Sequence, residues 1–117
     1  MNQPDQTNVY KLATLDDWTC AVVAGGYVGS PDDKRDGFIH LSCAHQIAAT
    51  ATKYFSGVEG LCLIAFDAAD LGPSLVFEPS RGGDLFPHYF GTLPTTSALW
   101  IKPVPLDDSG APVLPQI

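Results

Sequence analysis

Positive charge is scarce in this chain: six Lys and Arg stand against thirteen Asp and Glu, a formal net charge of −7. The six are not gathered into a stripe that could track a phosphate backbone, so nucleic acid is disfavoured as the main partner. No apolar run approaches the roughly 18 residues that a membrane span needs. The opening MNQPDQTN is polar, unlike the charged-then-apolar start of a secretory signal. A cytoplasmic, soluble protein with no membrane partner is therefore expected. The three cysteines, Cys20, Cys43 and Cys62, are odd in number and include no C-x-x-C pair. Cys20 and Cys62 fall at apolar positions of predicted elements, and all three cysteines read as reduced core thiols. Three familiar devices are missing as well: the G-x-S-x-G elbow, the G-x-x-x-x-G-K-[ST] loop and the G-x-G-x-x-G turn. A metal site is not expected either. In HLSCAH, His40, Cys43 and His45 sit at a strand-to-helix junction with diverging directions, and no paired ligand motif lies elsewhere.

What remains is enough for one domain. With 45% hydrophobic residues over 117 positions, the chain can bury a core without disulfides or metal. The expected division is a polar leader over 1–7, a core over 8–104 and a proline-rich tail over 105–117. NVYKLA (8–13) alternates as a short strand. Thr14, with Asp17 three residues on, predicts a helix over 15–24, with Trp18, Ala21 and Val22 on one face and Gly25-Gly26 at its end. YVGSPDDKRDG reads as a loop. FIHL (38–41) is the next strand, and Ser42 is placed to cap a helix carrying Ile47, Ala51, Tyr54 and Phe55 at helical spacing. LCLIAFD (61–67) is continuously apolar, as a strand covered on both faces would be. SLVFE (74–78) and SALWIK (97–102) are further strands, separated by a glycine-rich loop, PSRGGDLFPHYFG. No internal repeat is present. A strand, two helices and then several strands form an α+β pattern, not an evenly alternating one.

Alternation puts Phe38, His40 and Ser42 on one face of their strand and turns Ile39 and Leu41 into packing. His40 then faces a ligand, or it is a satisfied core imidazole. Arginine and glutamate each occur only twice. Arg81, beside Gly82-Gly83, suits an anion clamp because it offers a bidentate fork next to backbone N–H groups that can approach closely. The plainer alternative is a solvated loop arginine. Glu78 lies three residues before it. His88 and Tyr89, in FPHYFG, could stack on a planar ring or plug the core. His45 lies opposite the apolar face of the second helix and reads as solvent-facing.

The strings DGFIHLS, FEPSRGG and FPHYFG, within a pattern running from residue 8 to about 104, resemble the bacterial domain-of-unknown-function family nine-five-two. More distantly, His-Leu-Ser on a strand, an Ala-rich helix, LIAFDAADL and then a glycine-containing loop resemble the catalytic domain of the RNA 2′-phosphotransferases. These have the ADP-ribosyltransferase-like fold, and the resemblance implies a split, curved antiparallel sheet with two main helices gripping NAD in a cleft. It places Tyr10-Lys11 at the first-strand motif, where the fold often has His or Arg, and His40-Leu41-Ser42 at the second. His40 would bind a ribose or phosphate oxygen, Ser42 would support the strand, and Arg81 would neutralise phosphate. Glu78 is the available carboxylate. Bond cleavage in such enzymes passes through an oxocarbenium-like state that needs an acidic group facing it. The expectation is a nucleotide-binding cleft lined by Tyr10, Lys11, His40, Ser42, Glu78, Arg81, His88 and Tyr89, with NAD-dependent ADP-ribosyl or phosphoryl transfer as its reaction. The net charge disfavours an RNA substrate. The alternative is a non-catalytic module that binds an anionic metabolite or a protein partner.

Overall fold

A computed structural model describes residues 6–117, apart from the side chain of Arg81. Residues 1–5 of the expected polar leader lie outside the described residues. The chain runs β1 (Asn8–Thr14), α1 (Leu15–Ala24), α2 (Pro31–Asp36), β2 (Ile39–His40), α3 (Ile47–Phe55), β3 (Leu61–Asp67), α4 (Ala68–Leu71), β4 (Leu75–Pro79), β5 (Leu85–Tyr89) and β6 (Ala98–Val104). It is an α+β architecture of two antiparallel three-stranded sheets, ordered β1-β3-β6 and β2-β5-β4.

The first sheet follows its sequence signals. Thr14 Oγ1 accepts from Asp17 N at 3.2 Å and starts α1, while Gly25, at φ 89°, ends it and donates to Ala21 and Val22 carbonyls. Trp18 and Ala21 are buried, but Val22 is 53% exposed. A step of about 100° from Ala21 turns Val22 off the face it was expected to share. β3 is the middle strand, and its continuous apolar run serves two cores. Cys62, Ile64 and Phe66 pack with Val9, Trp18 and Tyr27 on one side. Leu61, Leu63 and Ala65 pack with Tyr10, Leu12, Ile47 and Ala51 on the other. Fully burying each of the larger side chains is worth about 1.5–3 kcal/mol, so β3 is the spine of the molecule. Cys43 and Cys62 are buried free thiols as expected, whereas Cys20 is exposed because it points off the buried stripe of α1.

Three stretches depart from expectation. The supposed loop at 27–37 contains α2. Ser30 and Asp33 form a reciprocal capping box, Pro31 opens the helix, and Gly37 closes it at φ 86°. The strand around His40 keeps only two residues. Ser42 does not cap α3: its backbone exchanges hydrogen bonds with Tyr10, N to O at 2.8 and 2.9 Å, and so joins the two sheets. α3 begins at Ile47, after Gln46, and His45 precedes the helix instead of lying on it. The supposed glycine-rich loop contains β5, the middle strand of the second sheet. Gly82 and Gly83, at φ 68° and 81°, make the turn that returns β4 into β5. The tail folds back along β6: Val113 N donates to Pro105 O at 2.7 Å, Lys102 Nζ donates to Gln116 O at 3.0 Å, and Leu114 packs on the second core.

Candidate functional site

A cleft of about 200 Å³ opens where β1 meets β2, between α2 and α3, with β5 contributing Phe86 and His88. Its organising group is Asp33, which the capping box of α2 aims inward and which is only 3% exposed. Four donors converge on it. Oδ2 accepts from Lys11 Nζ and from Ser30 N, each at 2.9 Å. Oδ1 accepts from His40 N at 3.1 Å and from His40 Nδ1 at 2.6 Å. Lys11 Nζ also donates to the His40 carbonyl at 3.0 Å, so one carboxylate ties α2 to both β1 and β2. Burial would raise the Asp33 pKa, but the bond from His40, the charge and bond of Lys11 and the Ser30 N–H outweigh it. They hold the carboxyl well below the usual carboxylate range. Burial pushes the Lys11 ammonium down, against the opposing pull of Asp33.

Around this centre the rim is acidic. Arg35 pairs with Asp32 at 3.0 Å and Asp36 at 3.1 Å, and Asp36 Oδ2 stands 3.0 Å from His40 Nε2. On the opposite strand, His88 is buried and its Nδ1 donates to Glu78 Oε1 at 2.7 Å. Phe38 stacks on the His88 ring at 4.0 Å between centroids.

Of the residues singled out in the sequence, Tyr10, Lys11, His40, Ser42 and His88 line the cleft together. Glu78 does not line it and reaches it only through His88. Tyr89 is a core residue, because alternation along β5 turns it to the opposite face from His88. Arg81 has its backbone in the β4–β5 turn, and its side chain lies outside the described residues. His45 is surface-facing and bonds Asp84 at 2.9 Å. Asp33, Asp32, Asp36 and Thr50, none of them singled out in the sequence, also line the cleft, as does Tyr54, which was expected only as part of the periodic face of its helix. The Ser-Pro-Asp-Asp spacing of a capping box was the available signal for Asp33. Among the described residues, no group of three or more His, Cys, Asp or Glu is arranged to hold a metal ion, and no helix is long and apolar enough to cross a membrane.

The profile of the family described as "Protein of unknown function (DUF952)" matches residues 12–101. The chain belongs to the DUF952 family. Among solved structures, this DUF952 chain is similar to protein CC0527 from Caulobacter crescentus. Its crystal structure is 40% identical over 91% of this chain and 93% of that one, with a TM-score of 0.88. The solution NMR structure of CC0527 gives 39% identity over 92% of each chain and a TM-score of 0.81. The curated proteins contain no match.

Proposed function

We propose that this DUF952 protein binds a nucleoside-containing small molecule in the β1–β2 cleft, with NAD the preferred candidate, inserted by its nicotinamide-ribosyl end. The observation that carries the reading is the convergence of His40, Asp36 and Asp32 with the aromatic Tyr54 and Phe86 around one opening. Carboxylates and π faces complement a positively charged pyridinium ring and hydrogen-bond sugar hydroxyls. The anionic end is less well served, because Lys11 and Arg35 are already paired with aspartates. Small-molecule pockets usually run from about 300 to 1,000 Å³, so this cleft suits part of a dinucleotide and not the whole. The ADP-ribosyltransferase-like resemblance supports the same ligand class, and the free thiols fit a reducing cytoplasm.

Glu78 favours binding over NAD-driven transfer, since it bonds His88 and contributes no surface to the cleft. Thermal-shift titration with NAD, ADP-ribose and nicotinamide tests the reading. A ligand at 100 times its dissociation constant should add about 2.7 kcal/mol, and His40→Ala should abolish the shift. Absence of stabilisation by all three compounds, or an equal shift in the variant, rejects this cleft as the site.

A further inference from the structure

The cleft holds two imidazoles, and their nitrogens are spent differently. His40 Nδ1 stands 2.6 Å from Asp33 Oδ1, and its Nε2 stands 3.0 Å from Asp36 Oδ2. A carboxylate only accepts, so both nitrogens of His40 carry protons and the ring has no lone pair to offer. The other donors of this wall are engaged as well: Lys11 by Asp33 and the His40 carbonyl, Arg35 by Asp32 and Asp36, and Ser42 Oγ by Thr50 Oγ1 at 3.3 Å. His88 is the exception. Alternation along β5 sets it on the cleft side with Phe86, and β4 brings Glu78, directly opposite Phe86, to the His88 Nδ1 at 2.7 Å. Nδ1 therefore holds the proton and Nε2 holds a lone pair. Glu78 lines no part of the cleft, so the Nδ1 edge of the ring faces away from it and the Nε2 edge faces in. The His88 side chain is only 8% exposed, and Nε2 has no hydrogen-bond partner among the described residues. Phe38, stacked on the ring at 4.0 Å and 22°, fixes its plane.

We propose that His88 Nε2 is the acceptor for a ribose hydroxyl, with Glu78 as its positioning residue, and that the cleft therefore selects ribosyl over deoxyribosyl ligands. The inference rests on the nucleoside reading above and names the group that the cleft recognises. A buried acceptor without a partner costs free energy until a donor meets it, so the ligand brings an N–H or O–H to this point. The nicotinamide-ribosyl end offers two kinds of donor, the carboxamide and the ribose hydroxyls. The carboxamide also carries a strong oxygen acceptor, and the N–H groups that would match it, those of Lys11, Arg35 and His40, are already engaged by protein oxygens. A hydroxyl needs only the lone pair. Glu78 does not touch the ligand; its bond decides which ring nitrogen keeps the proton and hence that the inward edge accepts.

The test is calorimetric titration of the full chain with NAD and with NAD lacking the 2′- or the 3′-hydroxyl of its nicotinamide ribose. In the wild type, loss of one of these hydroxyls should raise Kd roughly tenfold to a hundredfold. His88→Phe keeps a ring against Phe38 but offers no lone pair. NAD should bind it with a similarly raised Kd, and the deoxy analogue should bind it no worse than NAD does. Side-chain nitrogen spectra of the histidine-labelled wild type give a second readout that needs no variant. His88 should show the Nδ1–H form, with an Nε2 resonance that shifts as NAD saturates the cleft. Glu78→Ala should move the ring away from the Nδ1–H form and shrink the discrimination between NAD and its deoxy analogue. Equal Kd values for NAD and both analogues in the wild type, an undiminished hydroxyl effect in folded His88→Phe, or an Nε2–H form in the wild type would each overturn the assignment and leave NAD binding standing. With no binding of NAD at all, the nucleoside reading falls and this inference falls with it.

Discussion

Lys11 Nζ and Asp33 Oδ2, 22 residues apart in the chain, meet at 2.9 Å beneath the cleft, with both side chains almost fully buried. Removing one partner strands the other charge. Asp33→Ala is expected to cost about 3–5 kcal/mol, and the double variant Lys11→Met/Asp33→Leu should recover much of that loss. Urea denaturation of the three proteins checks this. A double variant no more stable than Asp33→Ala would show that the hydrogen bonds to Ser30 and His40, not the buried charge, carry the cost.

Acid should find the same residue. The native Asp33 carboxyl titrates well below the unfolded value of about 3.9, so the unfolded chain takes up the proton first as pH falls. The resulting stabilisation is complete above about pH 5 and is lost progressively as pH drops below about 4. Urea midpoints measured from pH 7 down to pH 2.5 should fall steeply in the wild type and more shallowly in Lys11→Met/Asp33→Leu. Parallel profiles would assign acid lability to other carboxylates.

Gly29 adopts φ 111°, and a Cβ there would meet the Asp33 Cβ at 2.7 Å. Gly29→Ala should therefore cost roughly 1–3 kcal/mol and also weaken stabilisation by NAD or ADP-ribose. Gly57 has φ 78° but nothing within 4 Å of an added Cβ. Gly57→Ala should lose stability and leave ligand response unchanged. Equal ligand response in the two variants would separate Asp33 placement from binding.

Gln46 fastens the start of α3 to the β4–β5 hairpin. Its Oε1 accepts from Cys43 N at 2.9 Å, and its Nε2 donates to Asp84 Oδ2 at 2.8 Å and Leu85 O at 2.7 Å. Gln46→Ala removes these three hydrogen bonds, with Asp84 Oδ2 still held by His45, and should cost about 1–3 kcal/mol. Hydrogen exchange should quicken at Leu85 and Phe86 before it does in β3. Uniform quickening through both sheets would mean that the hairpin opens only with global unfolding.

What could be read from the sequence was whatever a local pattern fixes. α1 was legible because Thr14 and Gly25 bracket it, and β3 because burial on both faces leaves no polar position. α2 was hidden for the opposite reason. Six residues held by a capping box and a proline need no apolar period, and PDDKRD carries none. β5 was masked by Pro87, which lacks an N–H, and by the glycines that turn the chain into it. Ser42 looked like a cap because its hydroxyl precedes a helical pattern, but its backbone is engaged by Tyr10, 32 positions earlier in the chain. Asp33 was hidden in a stretch read as a loop because its partners lie 22 residues before it and seven after. The histidines themselves were visible, and so was the face that His40 shares with Ser42. The carboxylates that hold them were not, since those pairings exist only once the sheets are assembled.

The wall of the cleft on the α2 side hangs from a single carboxylate that also orients a cleft histidine. A chain built this way cannot retune its ligand preference at that wall without touching its own endurance to heat and acid. Its descendants should diversify first at the exposed rim, Asp32, Arg35 and Asp36, where charge can change and the foundation stays in place.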